Sequence, residues 1–109
     1  MSQILVSKLL GDYMHKDELI QLHQLLVYMR KYLEKKFGNE INDAFKDYDN
    51  LNIHPHHIHR TKSEHIYAIF LLSSSIAKIL SENGNVPRSV ASRLRDTGEK
   101  IGREIARKR

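Results

Sequence analysis

The stretch "HKDELIQLHQLLVYMRKYLEKKFG", residues 15–38, constrains the fold more than any other part of the chain. Leu19, Leu22, Leu26, Met29 and Leu33 recur every three or four residues, and Phe37 extends the series. That spacing lays one apolar stripe along an α-helix. Asp17 and Glu18 fall in its first turn and Lys35 and Lys36 in its last, so the charges complement the helix dipole. Gly38 stands where helices commonly close.

The rest of the chain reads as helix too. "EINDAFKDYDN" predicts a short second helix through Ile41, Phe45 and Tyr48, stopped by the turn-forming Asp49-Asn50. Residues 52–60 predict an irregular connection, because Pro55 pushes His54 toward extended geometry. Thr61 then opens a helix, with Glu64 three residues on completing a capping box. Ile66–Leu72 is apolar on nearly every side, which suits the centre of a core or a subunit interface. Gly84 ends that helix, and Pro87 suits the first turn of the last one. There Val90, Leu94, Ile101 and Ile105 share a face, with Thr97 or Gly98 bridging the gap. Gly98 and Gly102 each cost about 1 kcal/mol of helix propensity. Plain weakening of the helix is the favoured reading of the two glycines, ahead of a close approach by another backbone. No stretch alternates with strand period. The expectation is an all-α small bundle of three to four helices.

Composition narrows the function. With 109 residues, 40% hydrophobic and 28% charged, the chain is one ordinary globular domain. It has no cysteine, which excludes disulfides, thiolate zinc sites and cysteine nucleophiles. The seven-residue apolar run is far short of the roughly 20 needed to cross a bilayer. The opening residues lack the long apolar core of a signal peptide. A cytoplasmic protein with no membrane partner is expected. Residues 1–87 balance ten basic against ten acidic side chains, whereas 88–109 carry eight against three. The net charge of +5 therefore resides in the tail, where RNA, DNA or a ribosome would be attracted.

Five of the seven histidines lie in "NIHPHHIHRTKSEH", residues 52–65. Such density is a compositional pointer to metal, since neutral imidazole suits zinc, nickel, copper and iron. In extended chain His54 could pair with His56, or His57 with His59. His65 lies one turn into the capped helix, and His23 sits at the margin of the first apolar stripe. The plainer alternative stays open: His54, His56 and His57 as solvated loop residues, His23 and His65 as hydrogen-bonded structural groups.

"ELIQLHQLL" at 18–26, "IHRTKSEH" at 58–65 and the apolar helix that follows resemble a small archaeal protein family of uncharacterised function. Some of its members carry the label "metal-binding protein". The resemblance runs from about Met14 to Arg95. It implies a helical homodimer and no reaction. Its ligand set carries over as His23, His59 and His65, with Glu18 and Lys62 beside them in supporting or anion-contacting roles. Residues 1–13 precede the usual start of the family and form an N-terminal extension to a single domain over 14–109.

Four functions compete. The first is a non-catalytic protein holding a divalent ion such as zinc at His23, His59 and His65, with Glu18, Lys62 and Glu64 in support. The second is a nucleic-acid or ribosome-associated module using Arg88, Arg93, Arg95, Arg103, Arg107, Lys108 and Arg109. A metal-assisted hydrolase with Glu64 or Glu18 as base ranks last: no phosphate-cradling glycine loop is present, and a short chain leaves little room for a substrate cavity. The fourth is a plain interaction protein that buries Ile66–Leu72 between two copies.

Overall fold

The computed structural model describes residues 11–107. Among these residues the chain forms four α-helices and one 3₁₀ segment, with no strand. Helix α1 spans Lys16–Phe37, the 3₁₀ segment Gly38–Phe45, α2 Lys46–Leu51, α3 Lys62–Glu82 and α4 Arg88–Arg107. The all-α architecture agrees with the apolar periodicity. The predicted short second helix differs in its first half, which is wound as 3₁₀ before α2 begins.

Helix α3 is the axle. Its Ala68, Ile69, Phe70, Leu71, Leu72, Ile76 and Ile79 are all buried, and α1, α4 and the 3₁₀–α2 segment pack around it. One side meets Leu33, Phe45, Tyr48 and Ile53, while its N-terminal half meets Leu19 of α1 and Leu94 and Ile101 of α4. An all-round apolar helix thus finds cover within its own chain, so the burial of Ile66–Leu72 needs no second copy. The Thr61–Glu64 capping box starts α3: Thr61 Oγ1 accepts from the Glu64 N–H at 3.1 Å, and Glu64 Oε1 accepts from the Thr61 N–H.

Helix α1 turns its apolar stripe differently from the expectation. Leu19, His23, Leu26 and Leu33 face the core, while Met29 is 40% exposed. Arg30, on the same inner side, makes a two-pronged salt bridge to Asp49 and lies 4.3 Å from the Phe45 ring centre. It clamps α1 to the 3₁₀–α2 segment.

Helix α4 buries Thr97 and Gly98 and leaves Val90 exposed. A Cβ on Gly98 would make ordinary contact with Leu71 and Phe70 at 3.5 Å, whereas one on Gly102 would sit 2.8 Å from the Tyr67 ring. A side chain at 102 would therefore have to displace the tip of the Tyr67 ring. The neighbour of Gly102 is an aromatic side chain, not another backbone. No helix among the described residues is long and apolar enough to cross a membrane.

Candidate functional site: a buried histidine pair

The packing of α1 on α3 brings His23 and His65 together at zero solvent exposure. His23 reaches the core because it lies one turn from Leu19 and from Leu26 on the inner face of α1. That is deeper than the margin position its sequence context suggested. His65 is placed by the capped start of α3. Their Nδ1 atoms are 3.1 Å apart. The opposite nitrogen of each ring meets an oxygen: His23 Nε2 lies 2.6 Å from the Tyr48 hydroxyl, and His65 Nε2 lies 3.0 Å from the His57 carbonyl.

One assignment of protons satisfies this chain of contacts. The His57 carbonyl only accepts, so His65 carries its proton on Nε2, and the bare Nδ1 accepts. His23 then donates from Nδ1 and accepts at Nε2 from Tyr48. Burial supports both ends of the assignment. It pushes the Tyr48 hydroxyl up to about 12, so the phenol stays protonated. It also lowers His23 to about 4, with the facing His65 adding to the effect, so the ring stays neutral. No buried side-chain nitrogen or oxygen among the described residues lacks a partner. The relay Tyr48–His23–His65–His57 joins α2, α1, α3 and the 52–61 connection at one point.

The other histidines do not enter. His54, His56 and His59 are exposed, and His57 is partly so. The His54 and His56 rings stack at 5.5 Å, and His57 lies 4.5 Å from His56. His57 Nδ1 accepts from the His54 N–H at 3.0 Å, which folds this segment into a tight turn. Of the ligand set carried over from the resemblance, two members meet and His59 does not join them. Among the described residues no group of three or more His, Asp or Glu side chains is gathered to hold an ion.

The supporting residues are also used otherwise. Glu18 Oε1 accepts from the His15 N–H at 2.8 Å, capping α1. Lys62 Nζ donates to the Gly11 carbonyl at 3.1 Å. Glu64 caps α3 and pairs with Arg60 at 2.9 Å, and the Thr61 N–H bond holds its carboxyl below the usual range. The sequence places Tyr48 on the short second helix; its hydroxyl role depends on a contact 25 residues away that spacing does not reveal.

Arg88, Arg93, Arg95, Arg103 and Arg107 are exposed on α4. Arg95 pairs with Glu99 and Arg107 with Glu104, which neutralises part of that face. Lys108 and Arg109 lie outside the described residues. Away from the histidines, a cleft of about 900 Å³ runs between α3, α4 and the 3₁₀–α2 segment, so the chain has more room than its length suggested. Its ionic lining is mixed: Lys46, Lys78, Arg88 and Arg95 face Asp43, Asp47, Glu82 and Glu99.

Comparison with known proteins agrees with this helical chain as a unit. No solved structure matches it. A UPF0058 protein of Methanocaldococcus jannaschii is 72% identical over 96 residues, covering 88% of this chain and 92% of the relative. A second, from Methanothermobacter thermautotrophicus, is 51% identical over 86% of this chain and 92% of its own. A third, from Archaeoglobus fulgidus, is 37% identical over 84% of this chain and 97% of its own. The family pattern matches residues 14–101, from the start of α1 to the last core residue of α4, and the chain belongs to the uncharacterised protein family UPF0058.

Proposed function

We propose that the chain is a non-catalytic metal-binding protein that takes a zinc-like divalent ion at the His23–His65 pair. The supporting observation is the convergence of two Nδ1 atoms at 3.1 Å while each Nε2 is held by an oxygen. Two nitrogens on one tetrahedral zinc lie about 3.3 Å apart, given zinc–nitrogen bonds of about 2.0–2.1 Å. Ligating histidines commonly donate their other N–H to an oxygen acceptor, which orients the ring. The ion would take the place of the proton now shared by the two rings. Two donors fall short of the three or four that zinc uses, so the 52–61 connection would have to turn a further histidine inward. His57 and His54 are the near choices, since both act electrostatically on His23.

The test uses full-length protein without a histidine tag. Stoichiometric zinc binding at micromolar affinity, a lower melting temperature after chelation, and loss of both in His65→Gln are expected. Nitrogen-15 spectra of the imidazoles give a second readout. Without an ion His23 carries its proton on Nδ1; with one, both rings must be Nε2–H tautomers. No bound metal and unaltered melting would overturn the reading and leave the pair as a hydrogen-bonded relay.

A second reading, nucleic-acid or ribosome binding through α4, is favoured by its five exposed arginines. The test neutralises Arg93 and Arg103 to Gln, both exposed, and leaves Thr97, Gly98 and Ile101 in their core contacts. RNA binding should fall with salt, and the double variant should flatten the dependence by about two counterions.

A further inference from the structure

Helix α1 has a second apolar face that stands exposed among the described residues. Leu25 is 54% exposed, Tyr28 59%, Met29 40% and Tyr32 64%. Exposed apolar side chains scattered singly mean little, but these four lie on adjacent turns of one helix. Continued in both directions, the series is Glu18, Leu22, Leu25, Met29, Tyr32 and Lys36, with steps of 4, 3, 4, 3 and 4. That alternation is the a/d pattern of a coiled-coil seam over about 27 Å of helix, apolar over about 15 Å from Leu22 to Tyr32. The seam is apolar in the middle, acidic at its N-terminal end and basic at its C-terminal end.

We infer that this face pairs with the same face of a second copy of the chain, the two α1 helices running antiparallel about a two-fold axis. The charges choose the direction. A parallel homodimer sets Glu18 against Glu18 and Lys36 against Lys36. The antiparallel arrangement sets Glu18 against Lys36 at both ends. The same register obeys the heptad geometry. Antiparallel coiled coils oppose an a position to a d position. Centring the axis near position 27 places Leu25 opposite Met29, Leu22 opposite Tyr32 and Glu18 opposite Lys36. The end charges therefore choose this alignment, and the heptad phase is compatible with it.

The area is sufficient. Two tyrosines, a leucine and a methionine per copy withdraw on the order of 1,000 Å² in total, about the lower bound for a specific interface. An isologous contact of this kind closes on itself at two copies. Glu18 serves the α1 cap through Oε1, which holds its carboxylate at the helix start where Lys36 of the second copy would arrive.

Sedimentation of the full-length protein at micromolar concentration should give a dimer. Leu25→Asp should raise the dimer dissociation constant by at least about a hundredfold while circular dichroism stays helical, because it buries two carboxylates at the centre of the seam. Lys36→Glu, which opposes two carboxylates at each end, should raise it about tenfold. Direction is read by cross-linking, since the chain has no cysteine of its own. A mixture of Glu18→Cys and Lys36→Cys chains should form mixed disulfides, and neither variant alone should do so efficiently. A monomer at these concentrations would overturn the inference and leave the face to a different partner. So would a dimer indifferent to Leu25→Asp, or Glu18→Cys chains that cross-link with themselves.

Discussion

Acid should unlock the core through His23. The ring is fully buried and neutral, and its pKa falls to about 4 in the folded protein, against 6.5 for an unperturbed histidine. Between those values the unfolded chain binds a proton that the folded chain refuses. Stability therefore rises with pH through this window and is lost as pH falls from about 6.5 toward 4. The linkage relation gives about 2 kcal/mol lost by about pH 5 and about 3 kcal/mol by pH 4, with a steepest slope near 1.2 kcal/mol per pH unit. The structural cost is specific. A proton on either ring forces His23 to present N–H to Tyr48, and the phenol must stop donating and accept instead.

Urea unfolding followed by far-ultraviolet circular dichroism, with chelator present and protein concentration fixed, measures this. The wild type is compared with His23→Gln, which keeps a donor and an acceptor but does not titrate. The variant starts less stable at neutral pH, and its loss between pH 7 and 5 should be smaller than the wild type's by about 2 kcal/mol. Carboxylates such as Glu64, whose pKa is lowered, also lose their contribution in acid, but they do so in both proteins and cancel in the difference. If the two proteins lose stability in parallel over this range, His23 is not the titrating group and the proton assignment of the relay is wrong.

Three other perturbations follow from the packing. Thr61→Ala removes the hydroxyl that caps α3 and should cost about 1 kcal/mol in denaturant unfolding. Gly98→Ala should stabilise by about 0.5–1 kcal/mol, because its new methyl meets Leu71 and Phe70 at ordinary contact distance while the helix gains propensity. Leu72→Ala empties a fully buried position at the middle of α3 and should cost about 2–5 kcal/mol, read as a lower melting temperature.

The helices were legible in the sequence because each carries its own punctuation. The capping box at Thr61 and Glu64, Gly38 after α1 and the dipole-matched charges are local signals, and the structure keeps all of them. The histidines were legible only in part. His23 and His65 could be singled out, but which nitrogen meets which depends on how α1 rotates about its axis. That rotation is decided by core packing with residues dozens of positions away. The apolar spacing from Leu19 to Phe37 runs through Met29, whereas the side of α1 that meets the core is rotated away from it and leaves Met29 exposed. Arg30 took the inner position because Asp49 and the Phe45 ring were there to receive it. A charged residue inside an apolar stripe hides its partner until the partner's element is placed. For the same reason Tyr48 gave no sign of its hydroxyl bond, and His59, an equal of His65 by sequence, ended in solvent.

Helix α1 therefore carries two different tasks on two faces. His23 and Leu25 are two residues apart, so their side chains leave the helix about 160° from one another. One face delivers a neutral imidazole to a point where four segments meet; the other presents an apolar seam with opposite charges at its ends. Leu22 is the seam position that also packs against the core. Leu25, Met29 and Tyr32, on the outer side, belong to neither hydrophobic cluster. The two faces are thus separable by substitution. If self-association and the histidine pair are coupled at all, the coupling must pass through the helix as a rigid rod, not through shared side chains.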